Sequence, residues 1–332
     1  RADLSPAPPR RAISGWQRPI DKPHSLTGLA SVTFLNVEGT ILGGTSWNDP
    51  ARDKLWLYNL HYFDELSAPA DLERAAWRRS LVVRWISENP PGQGNGWEPY
   101  PISLRIVNWI KWALAGEPME AGCLDSLATQ TRWLMQRIEW HLLANHLFTN
   151  AKALVFAGLF FEGAEAEKWL ATGLQILDRE LREQVLADGG HFELSPMYHA
   201  IILEDMLDLV NLARAAGLED AGRCEGWREL CARMADWLAT MTHPDGEIAF
   251  FNDAAIGIAS SPARIAEYAG RLGIRPPHVP QEGITYLRES GYVRLQRGNA
   301  VALLDVAVIG PRYIPGHAHA DSLWFGFSVH CQ

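Results

Sequence analysis

The sequence predicts a mostly α chain that ends in antiparallel strands, and two observations carry this. From about Arg52 to Leu272, apolar residues recur at the 3.6-residue period of helices packed on one face. After about Gly283 they alternate or run in short stretches, with Gly and Asn between them, as strands do. At 332 residues, 47% apolar and 21% charged, the chain is long enough for one large globular domain, or for that domain and part of a second.

Residues 1–30 are rich in Pro, Arg and Ser and read as an extended arm with Trp16 as an anchor. Val32–Val37 and Thr40–Leu42 read as a short hairpin turning at Glu38-Gly39. Leu55, Tyr58, Tyr62 and Phe63 mark a helix through Ser67. Leu72, Ala75, Val82 and Ile86 mark a second through Asn89, where Pro90-Pro91 stops it. The loop Pro90–Pro101 is rigid at its ends and soft in the middle, and its Asn95, Trp97, Glu98 and Tyr100 are candidates to line a cleft. Helices are predicted over Ile102–Ala115, Leu124–Leu143, Thr149–Glu162, Glu165–Ala187, Pro196–Ala216, Glu225–Met241 and Pro262–Leu272. Short connections favour antiparallel neighbours in a bundle, a solenoid or an α/α toroid. Periodicity does not choose among these, and no fixed-period repeat requires a solenoid. Strands are predicted over Ile284–Leu287, Tyr292–Arg297, Val301–Val308 and Leu323–Val329.

A net charge of −9 lacks the basic footprint of a nucleic-acid binder, so no nucleic acid partner is expected, while a local cationic pocket would still admit an acidic substrate. Cys123, Cys224, Cys231 and Cys331 include no CxxC pair, and suggest neither a zinc–thiolate site nor a disulfide framework. No apolar run reaches the length of a membrane span. No signal peptide is visible in the Pro-rich opening, so composition does not give the compartment. Fourteen tryptophans suit either a carbohydrate cleft or a helical core.

The stretch best suited to chemistry is Asp188-Gly-Gly-His-Phe-Glu-Leu-Ser-Pro-Met-Tyr-His199. Gly189 and Gly190 end one helix, and Ser195-Pro196 opens the next as N-cap and N1. Tyr198 and His199 then fall in a first turn, where unpaired N–H groups and the helix dipole would ease formation of a tyrosinate. The plain alternative is a capped helix with a hydrogen-bonded core tyrosine. Asn145-His146-Leu-Phe-Thr-Asn150 forms a polar interruption between two apolar helices, in which Asn145 and His146 read plainly as capping or buried polar residues, Asn145 being the better cap. In Gly316-His-Ala-His-Ala-Asp321, His317 and His319 would face one side of an extended segment, as metal ligands do, or form only a hydrogen-bonded turn. Asp64, Glu98 and Glu193 are carboxylates of the kind a glycosidase pairs, although no spacing tests their separation.

Tyr58-Asn-Leu-His-Tyr-Phe63, Asn145-His146, the Asp188–His199 stretch and Gly316-His-Ala-His-Ala-Asp321 together resemble the heparinase II/III-like polysaccharide lyases, in that family's order and at similar intervals. The resemblance runs from about Phe34 to the end and extends to alginate lyases of the same architecture. It implies an (α/α) toroid over 31–282, after the arm of 1–30, and the beginning of an antiparallel β-sandwich domain over 283–332. It further implies a lyase that cleaves a uronate-containing glycan, heparan-sulfate-like or alginate-like, by β-elimination. The partner is then an acidic polysaccharide or oligosaccharide, and the location periplasmic or secreted.

Such a reaction removes the weakly acidic C5 proton beside an ionised carboxylate. Neutralising that carboxylate lets charge spread into an enediolate, a task the resemblance gives to Asn145 and His146. It makes Tyr198 the acid that protonates the departing O4, and also the base where the two groups are syn, with His317 the base for the other epimer. A tyrosine suits both roles only with a lowered pKa, which the first-turn position of Tyr198 favours. Trp97, Glu98, Tyr100, His191, Glu193 and His199 are expected around the substrate, His199 in support and Glu193 orienting a neighbour. No cofactor is required; His319 would hold a structural Zn2+, as in some relatives, with further ligands deeper in the β-domain. The chain ends about eleven residues after Asp321, where the family continues through a whole β-domain, so a truncated β-domain is expected. Two alternatives stand beside this reading: a glycoside hydrolase on the same toroid, and a non-catalytic glycan-binding or surface-polysaccharide protein.

Overall fold

The structure, a computed structural model, describes residues 2–119, 121–142, 144–218, 220–307 and 324–329. Two units divide the chain, Arg1–Leu177 and Asp178–Gln332.

In the first unit the arm is fastened by backbone and side-chain bonds. Arg11 N donates to Phe160 O and Glu162 N to Pro9 O, each at 2.8 Å, and Arg132 holds the Ser5 and Pro6 carbonyls. Trp16 meets Phe156 edge-on at 6.4 Å, the anchoring role expected of it. Glu65 is 2% exposed, and its carboxylate takes the Ser25 and Leu26 amides at 2.6 and 2.9 Å and Arg78 Nη2 at 2.9 Å.

The hairpin pairs β1 (Ser31–Phe34) with β2 (Val37–Thr40), so its turn is Leu35-Asn36 and not Glu38-Gly39. Both turn residues have positive φ, 52° and 60°, the pairing that matches strand twist in a two-residue hairpin. Gly39 serves another purpose, because a Cβ there would lie 2.4 Å from the Trp56 ring.

Helices follow: α1 (Lys54–Tyr62), α2 (Leu72–Glu88), α3 (Pro99–Leu114), α4 (Ala121–Met135), α5 (Ala144–Phe160) and α6 (Ala164–Gln184). Among the boundaries that differ from expectation are those of α1, α3 and α4. Phe63, left-handed at φ 63°, ends α1, and a separate 3-10 turn takes Asp64–Ser67. α3 starts at Pro99 because prolines need no N–H partner in a first turn. α4 stops at Met135, and Glu139 N donates to the Asn150 side chain at 2.9 Å instead of to a helix carbonyl.

α3 and α5 are buried almost all round, as central helices are. Gly158 and Gly173 let α5 and α6 approach: a Cβ on Gly158 would lie 2.5 Å from Leu170 N, and one on Gly173 2.8 Å from Ala151 O. Tryptophan fills the interior: Trp85 meets Trp97, Trp109 and Phe63, all at 5.7–6.3 Å between ring centroids. Trp47, Trp85, Trp109, Trp169 and Trp237 are fully buried, which assigns much of the tryptophan content to the core and not to a cleft.

In the second unit α7 (Pro196–Ala215), α8 (Ala221–Thr240) and α9 (Pro262–Arg271) precede a four-stranded antiparallel sheet, β3 (Gly283–Leu287), β4 (Tyr292–Arg297), β5 (Ala300–Asp305) and β6 (Phe325–Val329), in that order. Val308 and Leu323, expected in the last two strands, lie outside the described residues. Tyr292, Val301 and Leu303 on one face join Leu194, Trp237, Met241 and Phe251 in a single core, and Arg294 Nη1 donates to Thr240 O and Thr242 O. On the other face Ile284, Tyr286, Phe325 and Phe327 are exposed. Among the described residues no helix is long and apolar enough to cross a membrane.

Candidate active site

The predicted site residues that are described fall into one group in each unit. In the first unit, α3 organises the group. Buried Arg105 donates to His61 O at 3.1 Å, Gly96 O at 2.7 Å and Gln130 Oε1 at 2.9 Å, with its guanidinium 3.8 Å over Trp85. It therefore ties the end of α1 to the loop that carries Glu98. Asn108 donates to Tyr62 O and to Asp64 Oδ1 at 2.8 and 2.7 Å, so Asp64 is engaged in closing α1.

Asn145 and His146 lie inside the first turn of α5, so Asn145 is within the helix and is not its cap. Its carbonyl accepts Thr149 Oγ1 at 2.7 Å. His146 is partly exposed; its Nδ1 sits 3.3 Å from Glu139 Oε1, and the tilted Tyr100 ring lies 4.4 Å from its own. Asn150 Nδ2 donates to Glu139 Oε2 and Ser103 Oγ, both at 3.1 Å, so a buried carboxylate is braced behind the imidazole. Tyr58 donates its hydroxyl to Glu98, and Lys54 Nζ lies 3.1 Å from the same carboxylate. Burial, and then Glu98, pushes the Tyr58 phenol well above its ordinary pKa. Trp97 is 4% exposed, donates to Asn89 O at 3.2 Å and packs on Trp85 and Trp133, and what it borders is a small cavity with Leu4, Ile86 and Asn89. The helix start of α5 favours an anion, and Asn145, His146, Tyr100 and Lys54 provide donors and a ring of the kind a carboxylated sugar meets.

In the second unit α6 ends at Gln184, and the next residues fold back on it through Phe192 N to Gln184 O and Leu186 N to Gly190 O, both 2.8 Å. Gly189 is at φ 93°, and Cβ atoms on Gly189 and Gly190 would lie 2.5 Å from Arg233 O and 2.6 Å from Trp237 Nε1. The loop thus presses directly on α8. Asp188 Oδ2 accepts Ser290 N at 2.8 Å and Ser290 Oγ at 2.9 Å, and Trp237 Nε1 donates to the same hydroxyl at 2.8 Å.

Ser195 caps α7 with Pro196 at its start, and Tyr198 falls in the first turn, as the sequence predicts. The expected lowering of its pKa is overturned. Burial, then the carboxylates of Asp253 and Glu193, push the Tyr198 phenol up to about 12. His191, Glu193 and His199 are interior, at most 1% exposed, and so are not surface contacts for a glycan. His191 Nε2 lies 3.2 Å from Gln184 Oε1. His199 Nε2–H donates to Met234 O at 2.9 Å, its ring lies 4.3 Å from Trp237, and burial lowers its pKa to about 4.

His317, His319 and Asp321 lie outside the described residues. Among the described residues no group of three or more His, Cys, Asp or Glu side chains is arranged to hold a metal ion. Glu139, Asp253 and Lys54 were missed by sequence reasoning. Glu139 sits in an irregular segment that reads as helix, and Asp253 meets Tyr198 from far along the chain; only Asn150, in the same polar run as His146, signalled itself.

Residues 118–271 match the Heparinase II/III N-terminus family and residues 279–332 the Heparinase II/III-like, C-terminal family. A heparin-sulfate lyase of Bacteroides thetaiotaomicron is 35% identical over 239 residues, covering 64% of this chain and 34% of that protein. One from Pedobacter heparinus is 27% identical over 242 residues, covering 68% and 34%. The crystal structure of heparinase III superposes with a TM-score of 0.67 at 20% identity, covering 89% of this chain and 51% of that one. Heparan sulfate lyase HepC from Pedobacter heparinus gives 0.59 at 20% identity, covering 91% and 52%. The fold class is thus a helical toroid followed by an antiparallel β-domain. The chain belongs to the heparinase II/III-like family. It spans about a third of the length of the curated relatives it matches.

Proposed function

We propose that this chain carries the toroid of a polysaccharide lyase that cleaves a heparan-sulfate-like, uronate-containing glycan by β-elimination, in the periplasm or outside the cell. The observation that carries the reading is Tyr198: a partly buried phenol in the first turn of α7, kept protonated by its surroundings, in a family whose named relatives are heparin-sulfate lyases. Asn145 and His146, at the start of α5, neutralise the uronate carboxylate. The C5–H bond then gives its electron pair to the enediolate as a base takes the proton. Collapse of the enediolate forms the C4–C5 double bond and expels O4, which takes the Tyr198 proton. A phenol raised to about 12 suits the acid and not a resting base, so the base is a separate group, and His317 is the candidate. The toroid corresponds to 31–282 and the β-domain to 283–332; His319 is assigned there to a structural Zn2+, and no step runs through a metal.

The test is ultraviolet absorbance of the new C4–C5 double bond on incubation with heparan sulfate, hyaluronan and alginate. Signal on heparan sulfate above the other two is expected. Cleavage to saturated products would favour a hydrolase, and binding without cleavage a glycan-binding protein.

A further inference from the structure

Leu194 is the residue immediately before the Ser195 cap, and it holds the left-handed region at φ 59° although it is not glycine. Such a backbone persists only where its surroundings over-determine it. Here the surroundings converge on its carbonyl. Tyr292 donates its hydroxyl to Leu194 O at 2.5 Å, and Asn252 Nδ2 donates to the same oxygen at 3.3 Å. The Asn252 amide also lies 3.0 Å from the Tyr292 hydroxyl and 3.4 Å from Asp305 Oδ2. Leu194 O and the Asp305 carboxylate are both acceptors, so they fix which end of the Asn252 amide faces them.

These groups come from β4, from the end of β5 and from the turn Asn252-Asp253, whose two residues are also left-handed at φ 45° and 48°. All are interior: Tyr292 is 0%, Asn252 7% and Asp305 3% exposed. The Tyr292 ring packs against Trp237 at 5.9 Å and Phe251 at 5.3 Å, which leaves its hydroxyl little choice of direction. Downstream, Ser195 Oγ accepts Tyr198 N at 3.4 Å and Ser195 O accepts His199 N at 2.9 Å, so a shift of Leu194 is passed to the first turn of α7.

We infer that Tyr292 and Asn252 are positioning residues for Tyr198: by occupying both lone pairs of the Leu194 carbonyl they fix the Ser195 cap and the phenol three residues beyond it. The inference rests on the reading of Tyr198 as the proton carrier. It assigns the sheet a part in the chemistry without contact with the glycan.

Tyr292→Phe keeps the ring and removes the hydroxyl, and Asn252→Ala removes the amide. Tyr268→Phe is the control, since its buried hydroxyl bonds Asp208 and Asn211 in the same unit. Hydrogen exchange followed by mass spectrometry should show the amides of residues 190–199 exchanging about tenfold faster in the first two variants and unchanged in the control. Turnover of heparan sulfate should fall about tenfold to a hundredfold in kcat, with KM kept within about twofold. Unchanged exchange in Tyr292→Phe and Asn252→Ala overturns the inference, and so does faster exchange with kcat intact. If Tyr292→Phe does not fold, Asn252→Ala decides. A wild-type protein without turnover removes the lyase reading alone, and the exchange measurement still decides whether the clamp holds the turn.

Discussion

His61 and His199 are interior imidazoles that stay neutral for the same reason. His61 lies between Trp47 O, which its Nε2–H meets at 3.0 Å, and Trp85 Nε1, which donates to Nδ1 at 3.0 Å; burial lowers its pKa to about 3, as it lowers that of His199 to about 4. Above the ordinary value of 6.5 neither state of the chain is protonated at these rings. As pH falls below 6.5 the unfolded chain gains protons that the folded chain refuses, so stability present above 6.5 is lost as pH falls towards 4 and 3. By pH 5 the loss should reach about 2 kcal/mol per histidine. Thermal melts between pH 7 and 5 should show a falling Tm, with a flatter slope in His61→Gln and His199→Gln; an equal slope in both would assign the acid sensitivity elsewhere. Glu139 makes a different prediction at this scale. Glu139→Ala leaves the buried Asn150 amide and the His146 imidazole without their carboxylate, and should cost about 1–3 kcal/mol in denaturant melts. A loss below about half of that would mean that water replaces the carboxylate.

Helix spacing depends on glycines that the sequence alone does not distinguish. Gly158 in α5 has no room for a methyl group against Leu170, whereas Gly226 in α8 faces open space. Gly158→Ala should therefore destabilise by about 1–3 kcal/mol through overpacking, and Gly226→Ala should stabilise by about 0.5–1 kcal/mol through the unfolded chain and helix propensity. Equal effects in urea melts would contradict the packing of α5 on α6. Most helices and strands were legible because their apolar periods are long and their Ser-Pro and Gly punctuation is explicit, as at Ser195-Pro196. The misread boundaries share a cause. The hairpin turn falls on Leu35, which carries no turn signal, while the glycine that looks like a turn, Gly39, is there to admit Trp56. The start of α5 was hidden because Asn145 and His146 read as polar loop, although their polarity belongs to a helix start.

Across the whole molecule, residue types for the chemistry were legible and their environments were not. Tyr198 could be put in a first turn from Ser195-Pro196, but its raised pKa depends on burial and then on Asp253, which only folding brings about. Trp97 and His191 looked like contacts for a glycan, and the structure buries both, because side-chain direction is set by partners such as Trp85 and Gln184 from other elements. The same logic links the sheet to α7 through Leu194, a residue that nothing in its own neighbourhood marks. In the proposed reaction Tyr198 delivers the proton to the departing oxygen. The decisive measurement follows heparan sulfate binding and formation of the unsaturated product side by side in the wild-type protein and in Tyr198→Phe. The variant is expected to bind within about threefold of the wild type while turnover falls by about a hundredfold or more. Product formation at the wild-type rate by Tyr198→Phe would contradict it.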